Sequence, residues 1–541
     1  MRTMTELVLG PLLRHVGERT ATVWVETDRP CEVGVLGATA ATFTVHGHHY
    51  ALVEVDGLEP GSRTPYEVLL DGRVAWPEAG AEDFPPSEIR TLAPGERVRL
   101  SFGSCRRSPD TKGVHGHDAL AAFARRLAQQ AGEWPTALLM IGDQVYADEL
   151  GDEIRAFIHE RRGPDSEPRD EVADFEEYAH LYTLAWRMDP AVRWLLSTVA
   201  TYTIFDDHDV RDDWNTSHTW REQVWAMPWW RKRITGGLGS YWIYQHLGNL
   251  TPQERAADEL YAAVRAVAAE GGDAGDLVDE FAERADKDPA KSRWSYAHDF
   301  GDTRLIMIDS RCSRLLTADR RAMLDDTELA WLDEQCRGDR DHLLIASSLP
   351  YLLPRAIHNA ENWNEAVAAG AWGKAGARFG EKVRQAADLE HWAAFENSFR
   401  AVAEDVGAVA RGERGRAPAS VAFLSGDVHY SYLARVTAPT TETPISQVVC
   451  SPLRNPLAGK FRWANVVACR KGTAWLFRGL AALARVPRPP LRWRLTDGPW
   501  FENMIATIEI DGRDARVVWE AAGPGATLVR RASARLSRPN S

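Results

Sequence analysis

Residues 201–213 read TYTIFDDHDVRDD. Five β-prone, apolar-leaning residues run straight into five carboxylates, one histidine and one arginine. Carboxylates packed this closely repel one another, and proteins keep such clusters where a bound cation, then the largest local charge, offsets them. The stretch therefore predicts a core strand that ends in a metal-binding loop. Open α/β sheets carry their sites at the carboxyl ends of strands. The residues just beyond the other strand-like segments therefore bear on fold and function together.

Seven short apolar segments, VRLSF, TALLMI, VATYTIF, TRLIMI, HLLIAS, VAFLS and SQVVC, alternate with helical stretches. Continuous apolar runs of this length suit strands buried on both faces of an α/β sheet. VRLSF is followed by GSCRR (103–107), TALLMI by GDQVY (142–146), VATYTIF by DDHD (206–209) and VAFLS by GDVH (426–429). All four of these strands end in metal-capable side chains. The offset between Asp143 and Tyr146 lets both reach one ion from a tight loop. The shorter offset in GDVH aims Asp427 and His429 at the same side, toward one ion or two neighbouring ions. A carboxylate-rich set favours hard cations such as calcium, magnesium, manganese or ferric iron, while Cys105 and Tyr146 add anionic donors that suit ferric iron. Two metals bridged by a carboxylate make a phosphoryl-transfer centre.

The flanking sequence places this unit in a larger chain. Residues 1–95 hold short strand-like segments (TATVWVET, CEVGVLG, YALVEVDGL, PYEVLLDG) punctuated by Gly, Pro and Asp. This is the pattern of a small immunoglobulin-like or fibronectin-like all-β sandwich closed by a proline-bearing linker. Residues 96–541 form the expected α/β catalytic domain, interrupted by largely helical insertions at 214–300 and 354–418. At 541 residues, 44% hydrophobic and 26% charged, the chain has the composition of a soluble globular protein of two or three units. The formal charge of −13 argues against a whole-surface nucleic-acid binder. The six cysteines form no CxxC pair, which argues against zinc-finger, thioredoxin and dense disulfide frameworks. The amino terminus shows no basic stretch leading into a long apolar run, and no segment is apolar enough to span a bilayer. A cytoplasmic location is the expectation, with the oligomeric state open.

GSC, GDQVY, DDHD and GDVH, in that order, resemble the alkaline phosphatase D (PhoD-like) branch of the metallophosphoesterases. The resemblance extends to the amino-terminal sandwich. It implies a two-sheet α/β/β/α sandwich with a dinuclear or trinuclear centre of iron and calcium, with manganese, magnesium and zinc left open. Carried over, Asp143 bridges the metals, Cys105, Tyr146 and His429 complete the iron site, and Asp207 and Asp427 hold the calcium side. His208 stands beside the substrate as proton donor or transition-state stabiliser, with Asp209 placed to orient its ring. Arg106 becomes a phosphate clamp, since guanidinium matches phosphate oxygens. Two features depart from the family. No twin-arginine export signal is visible, and Ser347 and Ser348 stand where the wider superfamily has a histidine. The missing histidine agrees with a calcium-like second site satisfied by oxygens.

Other residues keep two readings. Asp206, Asp209, Asp212 and Asp213 are expected to support ligands or pair with Arg211 rather than all to bind metal. Arg311, in IDSRCSR, serves either phosphate binding or a structural salt bridge. The six tryptophans between 214 and 242 either pack the helical insertion onto the sheet or wall the substrate cleft. From Lys460 to Arg494 there are nine Lys or Arg and no acid, consistent with a solvated helix or with a peripheral membrane or polyanion contact. His298, His358 and His391 carry no motif. The function expected is hydrolysis of small phosphate esters by water activated at the metals. A phosphodiesterase acting on nucleotide, lipid or polymer diesters is the alternative, and a non-catalytic binding protein is the rival from another class.

Overall fold

The computed structural model describes residues 4–78, 84–109, 113–130, 134–317, 319–437, 443–457, 459, 462 and 471–538. Two β-sheets packed face to face carry the site. In the first, Thr201–Ile204, Ala137–Ile141 and Val98–Gly103 run parallel, and antiparallel strands Met504–Asp511, Asp514–Gly523 and Thr527–Arg535 extend it. In the second, Thr303–Ile308, His342–Ser347, Ser420–Ser425 and Ile445–Val449 run parallel, flanked by Tyr296–Phe300 on one side and by Ser431–Val436 and Trp493–Trp500 on the other. All seven apolar segments read from the sequence are strands.

Burial on both faces explains why those segments lack alternation. In the second sheet Leu305, Met307, Leu344, Ala346, Ala422 and Leu424 face the core shared with the first sheet. Their neighbours Ile306, Ile308, Leu343, Ile345, Val421 and Phe423 face a separate core closed by helix Glu396–Ala410. A period-two pattern of apolar against apolar reads as a continuous run. The result is the α/β/β/α layering that the resemblance implies.

The amino-terminal strands form two four-stranded sheets. One contains Leu7–Val16, Ala21–Thr27, His48–Val55 and Phe43–Val45; the other contains Ala38–Ala41, Glu32–Val35, Val68–Leu70 and Arg73–Trp76. Ala21–Thr27 is buried along its whole length, because its second face is covered by the 214–300 insertion. Trp24 packs against Tyr244 with ring centroids 5.2 Å apart, and the Tyr50 hydroxyl lies 3.1 Å from that of Tyr244. The sandwich and the catalytic sheets therefore share one hydrophobic core. Trp214, Trp230 and Trp242 are buried in it, so packing accounts for these members of the tryptophan cluster.

Arg14 ties the sandwich to the strand that ends in DDHD. Its guanidinium donates to the Gln245 carbonyl at 2.7 Å and to Asn249 Oδ1 at 3.0 Å. Asn249 in turn exchanges two hydrogen bonds of 2.9 Å with the backbone of Thr203. Arg14 is fully buried, and burial lowers its pKa to about 10. Arg14→Met should take this donor from the Gln245 carbonyl, leave Asn249 Oδ1 with Thr203 alone, and cost roughly 2 kcal/mol. The expected reading is a lower thermal midpoint for the whole chain in calorimetry, with no separate early transition of the sandwich.

Candidate metal centre

The register of the first sheet sets the site. Gly103 lies opposite Met140, and Ile141 opposite Ile204, so GSC, GDQVY and DDHD leave the sheet at one level. The second sheet brings GDVH to meet them: the Asp427 N–H donates to Ser104 Oγ at 3.2 Å, and the Cys105 thiol to the Asp427 carbonyl at 3.5 Å. The glycines ahead of Asp143 and Asp427 are required by this convergence. A Cβ on Gly142, at φ +89°, would lie 2.9 Å from that of Asp206, and one on Gly426 would lie 2.0 Å from Ser104 Oγ.

Donor atoms of Cys105, Asp143 and His429 lie within 4.8 Å of one another, and so do those of Asp143, Asp206 and Asp207. Asp143 belongs to both groups. The Tyr146 hydroxyl is 3.2 Å from Asp143 Oδ2 and accepts from Asn455 Nδ2 at 3.0 Å. Cys105, Asp143, Asp427 and His429 all have left-handed backbones, with φ of +55°, +52°, +62° and +56°. Such conformations cost energy in non-glycine residues and gather at functional sites. Asp143 Oδ1 is buried without a hydrogen-bond partner, as is Asp206 Oδ2.

The electrostatics agree with a missing positive charge. Burial, then Asp143 and Asp427, push the Cys105 thiol well above its ordinary range. Burial, then Asp143, does the same to the Tyr146 phenol, and burial raises Asp143 itself. Burial lowers His429 to about 4, which leaves its imidazole neutral and free to donate a lone pair. A thiol, a phenol and a carboxyl that hold their protons until a cation arrives, beside a neutral imidazole, form a donor set that fits a hard or ferric ion.

Several residues fall where the sequence did not place them. His208 Nδ1 lies 2.9 Å from Asp148 Oδ1, so Asp148, and not Asp209, orients the ring. Asp209 is turned inward, accepting from the N–H groups of Gln144, Val145 and Asp206 at 3.1, 3.2 and 2.8 Å. Burial disfavours charge on His208, but Asp148, Asp143 and Asp207 outweigh it and hold its pKa well above the usual value. Arg106 is not brought to the cleft. Its guanidinium is buried on Asp118 Oδ2, at 3.0 and 2.8 Å, and on the Ala185 carbonyl at 2.8 Å. The residue beside the site is Arg107, whose guanidinium stands 4.7 Å above the Tyr146 ring. Arg311 is fully buried, ion-paired with Asp206, with Asp207 at 3.0 Å and with Glu390. These ion pairs are the salt bridge of its two readings.

His391 had no motif, yet its Nε2 lies 3.0 Å from Asp427 Oδ2 and its Nδ1 2.8 Å from Glu361 Oε1. It arrives from the helical insertion 354–418, with Glu390 beside it. Only a buried acid–histidine–acid contact across the fold identifies it, and no local spacing encodes that. Donor atoms of Asp207, Asp213 and Glu390 also converge within 4.8 Å. Outside the ligands, two clefts open. One is lined by Arg107, His115, Tyr146, Leu181, Leu184 and Met188, the other by Asp148, Arg211, Asp212, Asp213, Trp220 and Asp388. Trp220 thus borders the site while its buried neighbours pack the core.

Two packed mixed sheets with acidic and soft donors at their carboxyl edge define the metallophosphoesterase class. The solved structure titled "Structure of PhoD" has this fold at a TM-score of 0.60 and 12% identity, covering 98% of this chain and 91% of that one. Purple acid phosphatase PPD1 from yellow lupin (Lupinus luteus) seeds is similar at a TM-score of 0.50 and 11% identity, covering 98% and 74%. No curated protein sequence matches the chain. Residues 4–89 match a domain of unknown function (DUF7800), and residues 102–471 match the PhoD-like phosphatase family. The chain belongs to the PhoD-like phosphatase family and is a phosphoric ester hydrolase of the metal-dependent kind.

The position of Arg106 has a measurable consequence. Arg106→Met should lower the thermal midpoint, the loss of one partner of a buried pair costing about 3 kcal/mol, while KM for a phosphate ester stays unchanged. A raised KM at unchanged stability would return Arg106 to the role of phosphate clamp.

Proposed function

We propose that this protein hydrolyses small phosphate monoesters, with Cys105, Asp143, Tyr146 and His429 holding ferric iron and Asp143, Asp207 and Asp427 holding a second ion, calcium. The observation that carries this reading is the donor set itself: four left-handed residues, with a buried thiol, phenol and unpartnered carboxylate oxygen that need a cation to be stable together. Cations held there supply positive charge against the phosphoryl oxygens and acidify the attacking water. His208, protonated and braced by Asp148, gives its proton to the leaving oxygen. His391, held by Glu361, keeps the Asp427 carboxylate turned toward the centre. Arg311 neutralises Asp206 and Glu390 and also reaches Asp207 at 3.0 Å, so it offsets part of the acid cluster and leaves Asp143 to the ions.

Cleavage of diesters is a second reading, and the rim of the site favours it. Asp148, Glu149, Asp212, Asp213 and Asp388 line the outer cleft. They repel a dianionic monoester more than a singly charged diester. Leu181, Leu184 and Met188 in the neighbouring cleft offer an apolar seat for a second ester group. Rates on a phenyl phosphate monoester and on its diester counterpart decide between the readings.

The metal assignment is tested on protein stripped by a chelator. It should lose turnover on both esters, and the native protein should be coloured by tyrosinate-to-iron charge transfer that Tyr146→Phe bleaches. Metal retention should rise with pH, because Cys105 and Tyr146 release protons on binding. Full turnover in protein verified as metal-free would refute the reading. His208→Ala should lower kcat about 10²- to 10⁴-fold with metal content retained, and by less for esters with good leaving groups. Loss of metal in that variant would make His208 a ligand instead.

A further inference from the structure

The helix Lys471–Leu483 has no acidic residue and, among its described side chains, is apolar nearly all round. One face packs on the helix Arg355–Ala368, with Ala481 and the following Ala484 and Val486 buried beside Val367. Asn359 Nδ2 donates to the Ala474 carbonyl at 3.1 Å. The opposite face, successive turns of Gly472, Trp475, Leu476, Gly479, Ala482 and Leu483, contains no polar side chain. Trp475 is 79% exposed, Leu476 62% and Leu483 73%. A helix apolar on both faces is ordinarily buried on both. Here, among the described residues, nothing covers the outer one.

The surroundings indicate what covers it. No Asp or Glu occurs from residue 443 to 496, in a chain whose formal charge is −13. Arg485, Arg488, Arg492 and Arg494 are exposed just beyond the helix, while Arg478 folds back onto the carbonyls of Val486 and Pro487. Lys460, Arg470 and the neighbouring residues 463–469 lie outside the described residues. We propose that this face docks on an anionic lipid bilayer, the apolar side chains entering the headgroup layer and the arginines meeting lipid phosphates. Thirteen helical residues extend about 20 Å. That is too short to span a bilayer, and no described helix is long and apolar enough to do so. The helix lies in the interface plane, with Trp475 at the depth that tryptophan favours. A second copy of the chain is disfavoured as the occupant, because a two-fold contact would set the same arginines against one another.

The inference is independent of the phosphoesterase reading, and so is its test. The full chain is sedimented at low salt with vesicles of phosphatidylcholine alone or mixed with phosphatidylglycerol. It should co-sediment with the mixed vesicles only, and added salt should release it. The variant Trp475→Ser/Leu476→Ser/Leu483→Ser should bind about tenfold less, while its turnover of a soluble ester and its circular dichroism match the wild type. Arg485→Gln/Arg488→Gln should weaken binding to the mixed vesicles. No co-sedimentation of the wild type, or equal binding by the triple variant, would overturn the proposal. So would a wild-type dimer in the ultracentrifuge that the triple variant dissolves without lipid, since a second copy would then cover the face. Polyglutamate that binds as tightly as the mixed vesicles, with Trp475 irrelevant, would overturn it in favour of an acidic protein partner.

Discussion

Mutual repulsion among buried acids at the carboxyl edges of the two sheets is the constraint on which the rest depends. Asp143, Asp206, Asp207, Asp209 and Glu390 are all buried within one region, and Asp427 joins them. Two devices inside the protein hold them there. Arg311 and Arg314 take up Glu390, and Arg311 also takes up Asp206 and Asp207. Backbone N–H groups absorb Asp209. Neither device reaches Asp143 Oδ1, and the Cys105 thiol and Tyr146 phenol beside it cannot ionise unaided. The uncompensated remainder has the charge and the donor chemistry of a cation site.

Holding such a cluster in place needs rigidity behind it, and the amino-terminal sandwich supplies part of that. Its strand Ala21–Thr27 is buried on both faces, and Arg14 is clamped through Asn249 to the strand carrying DDHD. The insertions do related work from the other side. The 354–418 segment delivers Glu361, Glu390 and His391 to the acids of the site and to Arg311, and the helix Arg355–Ala368 that bears Glu361 also carries the exposed helix Lys471–Leu483. One helix thus stands between the site and the surface that we assign to lipid.

Much of the fold was legible because both-face burial leaves a plain mark: all seven apolar runs are strands. Strands outside that pattern carry no such mark. Trp493–Trp500 is largely exposed or half-buried and interrupted by Gly498-Pro499, and Asp514–Gly523 is only partly apolar. Turn residues mark the sandwich in the sequence, but nothing local marks its merger with the catalytic core. That merger rests on Trp24 and Tyr50 meeting Tyr244, the nearer of them 194 residues away along the chain.

By itself the sequence determined which residue types stand at the ends of which strands, since short motifs such as GDQVY and GDVH fix local offsets through backbone geometry alone. It therefore placed Cys105, Asp143, Tyr146, Asp207, Asp427 and His429 near one another. The tertiary structure decided the partners: Asp148 for His208, His391 and Glu361 for Asp427, Asp118 for Arg106, and Asp206 and Glu390 for Arg311. These contacts join residues from 12 to 105 positions apart. Which of them form depends on how sheets and inserted helices pack, and burial then forces each desolvated charge onto whatever counter-charge that packing leaves within reach.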